Sequence, residues 1–168
     1  VSYQPLLGRD SNNTTDVSLR VIADHIRAMT LLIGDGVTPS NEWRGYVLRK
    51  IMRRAMRHGK KLGLEDPFLH DLVNVVVVEM GSAYPELSAN QATIIDTVRR
   101  EEEQFDKVLT DGLPRLEDTL TASEQGSRTV SGDDAFRLYD TFGLPLDFIE
   151  DLAGSRQITV DRTGFDDA

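Results

Sequence analysis

The 168 residues include no cysteine, which excludes disulfides, cysteine-ligated zinc and thiol catalysis. Histidine is scarce as well. His25, His58 and His70 are separated by 33 and 12 residues, so none form a helical HxxxH pair for a metal. Long apolar runs are missing: the longest, Val75 to Val78, falls far short of the roughly 20 residues that span a bilayer. No membrane partner is expected, and no basic-plus-apolar leader opens the chain. Its first residue is Val1 rather than Met, as expected of a processed chain or an excised fragment. Neither GxGxxG nor GxxxxGK[ST] is present, and Gly34-Asp35-Gly36 reads as a turn rather than a phosphate cradle. There is no GxSxG elbow and no Ser/His/Asp order. No catalytic residue and no metal site are therefore expected in this chain.

What is present is ordinary in bulk. Hydrophobic residues make up 39% and charged residues 28%, as in a soluble globular chain. A chain of this length buries about two-thirds of its unfolded surface, so one domain, or two small ones sharing a core, needs no disulfide or metal staple. The net charge of −9 argues against a polyanionic partner. Its distribution argues the reverse. Residues 41–61 carry eight bases, Arg44, Arg49, Lys50, Arg53, Arg54, Arg57, Lys60 and Lys61, against the single acid Glu42. The rest of the chain holds eleven bases and 27 acids. Such asymmetry points to an interacting segment on an acidic scaffold.

The spacing of apolar residues predicts an all-α fold, a multi-helix bundle divisible into two helical subdomains. Residues 1–13 read as an irregular lead-in, 14–122 as a helical subdomain carrying the basic stretch, and 123–168 as a small helical subdomain. Leu19, Ile22, Ala23, Ile26, Met29 and Ile33 make one helical stripe that Gly34-Asp35-Gly36 ends. A second helix starts at Thr38 to Asn41, with Ser40 or Asn41 able to cap, and runs past Arg57. A third covers Pro67 to Met80. A long fourth, from about Ser88 to Thr121, meets Gly112-Leu113-Pro114, which could bend or break it. Ser123 to Gly132 reads as a loop, and two short helices bracket Gly143-Leu144-Pro145. Residues 156–168 read as a frayed or truncated end.

Within the basic helix, Val47, Leu48, Ile51, Met52, Ala55 and Met56 recur as adjacent pairs every four residues. The bases occupy the opposite arc, about seven cations along about 25 Å of helix. Like charges at this spacing repel by a few tenths of a kcal/mol per pair. Three matches are open for this face: an external polyanion such as a phosphate backbone, the acids Glu101, Glu102 and Glu103 within the chain, or an acidic protein partner. A free-standing enzyme using buried carboxylates finds no support in any motif. In Phe136-Arg-Leu-Tyr-Asp-Thr-Phe-Gly-Leu-Pro-Leu-Asp147, residues Leu138, Tyr139, Phe142 and Leu146 read as core, and Asp147 as a helix cap. Asp140 is left without an assigned duty.

These segments resemble a known family. Arg20-Val-Ile-Ala-Asp-His-Ile-Arg27, Asp35-Gly-Val-Thr-Pro-Ser-Asn41 and Arg44-Gly-Tyr-Val-Leu-Arg-Lys50 with Arg53-Arg54-Ala55 look like alanyl-tRNA synthetase. So do Tyr84-Pro-Glu-Leu87, Glu101-Glu102 with Phe105, and Leu138-Tyr-Asp-Thr-Phe-Gly143 with Pro145-Leu-Asp147. The matches keep their order across roughly residues 16–165 and are highly specific together. The resemblance is to the helical tRNA-recognition region that follows the class II catalytic domain. It implies a fragment of a cytoplasmic ligase that grips the acceptor stem of alanine tRNA and reads its G·U wobble pair. Carried over residue by residue, it makes Asn41 and Asp140 the base readers, with Arg44, Arg49, Lys50, Arg53, Arg54 and Arg57 as backbone contacts. It also implies catalytic and editing domains as partners. ATP, magnesium and an editing-site zinc belong to the full-length enzyme and no cofactor to this fragment.

The chemistry of a wobble pair suits those residue types. Its guanine 2-amino group is left unpaired in the minor groove, a donor that A·U pairs lack. A carboxylate accepts from it, and an amide both donates and accepts. RNA's minor groove is the shallow, accessible one. The alternative remains a helical protein-interaction module with a basic docking face. Lys50 and Met52 stand where the family often carries Arg and Ile, and Trp43 departs from its pattern.

Overall fold

The computed structural model describes residues 14–168, so the lead-in expected over 1–13 lies outside the described residues. The chain is all-α, as expected. Its helices are α1 (Thr14–Gly34), α2 (Trp43–Lys61), α3 (Leu69–Met80), α4 (Pro85–Gln125), α5 (Gly132–Asp140), α6 (Leu146–Ser155) and α7 (Arg162–Asp167). Two compact units divide at Glu103/Gln104, inside α4.

In the first unit, α1 packs on α2 and α3. Ile22, Ile26, Met29 and Ile33 of the α1 stripe are buried, whereas Leu19 and Ala23 at its margin are exposed. The helix ends in a Schellman arrangement. Val37 N–H donates to Leu32 O and Gly36 N–H to Ile33 O, both at 2.9 Å, with Gly36 at φ 85°. That left-handed conformation is the one glycine adopts without a Cβ clash. Leu48, Met52, Ala55 and Met56 of α2 are buried, but Val47 is exposed. The four-valine run is helical: Val76 and Val77 face the core while Val75 and Val78 face solvent.

Glu102, only 2% exposed, starts α3. Its carboxylate accepts from the backbone N–H groups of Phe68 at 2.8 Å, Leu69 at 2.7 Å and His70 at 3.0 Å. A helix N-terminus leaves such donors unmatched, so a carboxylate from a distant helix does the work of a cap.

In the second unit, Phe105 of α4 meets Phe148 of α6 edge-on at 6.0 Å. Helix α4 runs unbroken past Pro114. A Cβ at Gly112 would press on the Leu144 side chain, so the glycine there permits close packing rather than a helix stop. Ser131 caps α5, accepting from Asp134 N–H at 3.2 Å and donating to its carboxylate at 2.7 Å, a reciprocal cap. Gly143, at φ 71°, carries the turn beyond α5 as expected.

Three expectations for the second unit need correction. Tyr139 is 49% exposed, not core, and packs edge-on against Phe165. Asp147 lies within the first turn of α6, whose cap is Pro145. The frayed end is ordered: Thr159–Val160 (β2) pairs in parallel with Thr129–Val130 (β1), inside the expected loop. Asp161 then caps α7 by accepting from Gly164 N–H at 3.0 Å. Two-residue strands are too short to show alternation, which is why periodicity missed them.

Candidate nucleic-acid interface

The basic helix α2 does not present one cationic face. Arg49 and Arg53, one helical turn apart, turn toward α4. There the carboxylate of Glu101, itself 4% exposed, accepts from Arg49 Nε at 3.2 Å and Arg53 Nε at 3.1 Å. Their side chains are 16% and 17% exposed. A buried carboxylate is tolerated only when matched in this way. Internal pairing with the acidic helix is thus real for two of the bases. Glu102 serves α3 instead, and Glu103 is exposed.

Arg44, Lys50 and Arg54 remain exposed, and Arg57 is half-buried. Lys50 lies over the Tyr46 ring, 5.5 Å from its centroid. The two classes of base sit one residue apart in sequence, hence about 100° apart around the helix axis.

The approach to α2 runs through residues 38–42. Gly45 is buried, and a Cβ on it would collide with Ser40 Oγ and the Thr38 carbonyl. This lets the segment fold against the first turn of the helix. Neither Ser40 nor Asn41 caps α2, contrary to expectation. The cap residue is Glu42, without a side-chain bond, and Ser40 Oγ accepts locally from Glu42 N–H at 3.3 Å. The reason is that Asn41 is engaged elsewhere. Its side-chain oxygen accepts from Arg49 Nη1. Glu101, Arg49 and Asn41 form a relay from a buried anion to an exposed amide. The amide keeps its two N–H donors, and its oxygen one further lone pair, for an incoming group.

Asp140 belongs to the second unit, as the last residue of α5, and is exposed. A carboxylate there faces the negative end of the helix dipole, which is unfavourable. No hydrogen bond or ion pair with another described residue offsets it.

The histidines are structural. Nδ1 of His58, 6% exposed, lies 3.0 Å from Ser18 Oγ between α1 and α2. Burial, with Arg57, Lys61 and Arg54 nearby, lowers its pKa to about 4. His70 Nδ1 bonds the Glu102 carboxylate at 2.8 Å. His25 is half-buried beside Asp24, and its pKa is lowered by burial and by Arg54. Among the described residues no group of three or more His, Asp and Glu is arranged to hold a metal ion, and no helix is long and apolar enough to cross a membrane.

The sequence offered Glu101, Glu102 and Glu103 together as one possible match for the basic face; that Glu101 is the one that meets Arg49 is set by a contact spanning 52 residues. No local signal encodes it.

Comparison with known proteins adds a family match. The model for tRNA synthetases class II (A) matches residues 2–168. An alanine–tRNA ligase of Pelotomaculum thermopropionicum is 50% identical over 151 residues, covering 89% of this chain. One from Aromatoleum aromaticum is 54% identical over 152 residues, covering 90%. One from Oleidesulfovibrio alaskensis is 51% identical over 158 residues, covering 94%. The chain spans 17%, 17% and 18% of the length of these relatives.

Proposed function

The chain belongs to the tRNA synthetases class II (A), and from that premise we propose that it is the tRNA acceptor-stem recognition region of an alanine–tRNA ligase. In this reading the longer protein attaches alanine to its tRNA in the cytoplasm, with ATP and magnesium. The catalytic and editing domains, the latter with its zinc, are this chain's partners. No chemical step is proposed for this chain in that reading. The basic helix lies in the unit that ends at Glu103, and Asp140 in the unit that begins at Gln104.

The relay from Glu101 through Arg49 to Asn41 carries the reading. A buried ion pair that holds an exposed amide in one orientation suits the reading of a base pair, not mere attraction to charge. Asn41 donates to an acceptor of the G·U pair, and Asp140 accepts from the unpaired guanine 2-amino group. The exposed bases Arg44, Lys50 and Arg54 take the phosphates. Arg49 and Arg53 act mainly by positioning, and Arg57 flanks the backbone contacts.

The test is binding of a G·U acceptor-stem duplex across a salt series. Log affinity should fall linearly with log salt, with a slope of about −0.7 to −0.9 per phosphate neutralised. Affinity that is flat across the series, or retained only for an acidic protein, would favour the docking-module alternative.

A further inference from the structure

Trp43 is the first residue of α2 and is 89% exposed. Its φ is 52°, in the left-handed region, where a bulky side chain is strained. Among the described residues the indole is not buried, and glycine would suit that backbone better. Strain held at an exposed position points outward, to something the residue meets. Its surroundings indicate what. On the same helix, Tyr46 and Val47 are 47% and 54% exposed, and Lys50 lies over the Tyr46 ring. Positions 43, 46, 47, 50 and 54 recur at helical spacing and form one strip. Arg44 and Arg54 add exposed positive charge. Asn41 is two residues away.

An aromatic surface bordered by cations complements a polyanion with flat faces. We propose that Trp43 is a stacking contact for RNA, its indole lying against a terminal base or a ribose of the acceptor stem, with Tyr46 and Lys50 extending the surface. This rests on the proposed function and adds a contact to it. Phosphates are met by Arg44, Lys50 and Arg54, whereas the indole supplies affinity that does not depend on counterion release.

Trp43 is the sole tryptophan of the chain, so its emission reports on this position alone. The unmodified chain is titrated with dye-labelled G·U acceptor-stem duplex, following RNA anisotropy for binding and acrylamide quenching of the indole for contact. Saturating RNA should reduce quenching by about half or more. Trp43→Ala should weaken binding roughly 5- to 150-fold, the range for one base–aromatic stack, with an unchanged salt slope. Trp43→Phe should recover most of that loss. Trp43→Gly relieves the left-handed strain, so weakened binding in a variant at least as stable as the parent excludes misfolding as its cause.

RNA that binds with G·U preference while the indole stays equally open to acrylamide, and Trp43→Ala that binds equally well, would overturn the inference and leave the proposed function standing. An indole already shielded without RNA would assign the strip to a protein occupant and overturn it too. Failure of the unmodified chain to bind the duplex at low salt would overturn both.

Discussion

Arg49 donates through Nη1 to the side-chain oxygen of Asn41, eight residues earlier in the chain, while its Nε is held by Glu101. One guanidinium thus serves two partners, which a lysine ammonium, a compact point charge, cannot reproduce in the same geometry. Arg49→Lys should keep most of the affinity for an acceptor stem but lose discrimination between G·U and G·C duplexes by about 1 kcal/mol or more. Glu101→Gln should be harsher, because it leaves two largely buried arginines facing a neutral group. A loss of about 3 kcal/mol in urea unfolding is expected. Full discrimination in Arg49→Lys would remove the relay from the account.

The exposed bases should behave differently. Lys50→Ala and Arg54→Ala should weaken G·U and G·C stems alike, each lowering the magnitude of the salt slope by about 1. Arg53→Ala removes a partner of buried Glu101 and should therefore cost stability as well as affinity. Binding isotherms at four salt concentrations, paired with thermal melts, separate the two classes.

His58 sets a pH window. Its pKa is about 4 in the folded chain against an ordinary 6.5. The unfolded chain therefore binds the proton first as pH falls. Stability is fully present above pH 6.5, declines between 6.5 and about 4, and levels off below that. Part of the unfolding free energy should be lost across the window, and His25 shifts in the same direction. His58→Gln should flatten the slope of unfolding free energy over this range. An equally steep slope in that variant would place the dependence elsewhere.

The scaffold was legible where the chain speaks locally. Stripes spaced at 3 and 4 residues located α1 to α4, and Gly36 and Gly143 marked turns because φ there requires glycine. The site was legible only in outline. Arg49 and Lys50 are neighbours in sequence, yet one faces Glu101 and the other solvent, and only packing against α4 distinguishes them. Periodicity places Tyr139 beside Leu138 without telling which is covered. The β1–β2 pair joins segments 30 residues apart through two residues each, below what alternation can reveal. The strain at Trp43 is a property of φ alone and leaves no mark in composition.

Asp140 is an exposed carboxylate at the C-terminal end of α5, where the helix dipole disfavours a negative charge. Asp140→Asn should leave stability unchanged or raise it by about 0.3–1 kcal/mol. The same change removes the acceptor for the guanine 2-amino group.

The most direct measurement is therefore the ratio of dissociation constants for paired G·U and G·C acceptor-stem duplexes at one fixed salt concentration, for the unmodified chain and for Asp140→Asn. The unmodified chain should prefer G·U by roughly 5- to 150-fold, equivalent to 1–3 kcal/mol, and the variant should bind both duplexes alike. Equal binding of the two duplexes by the unmodified chain, or an undiminished preference in Asp140→Asn, would contradict the proposed function.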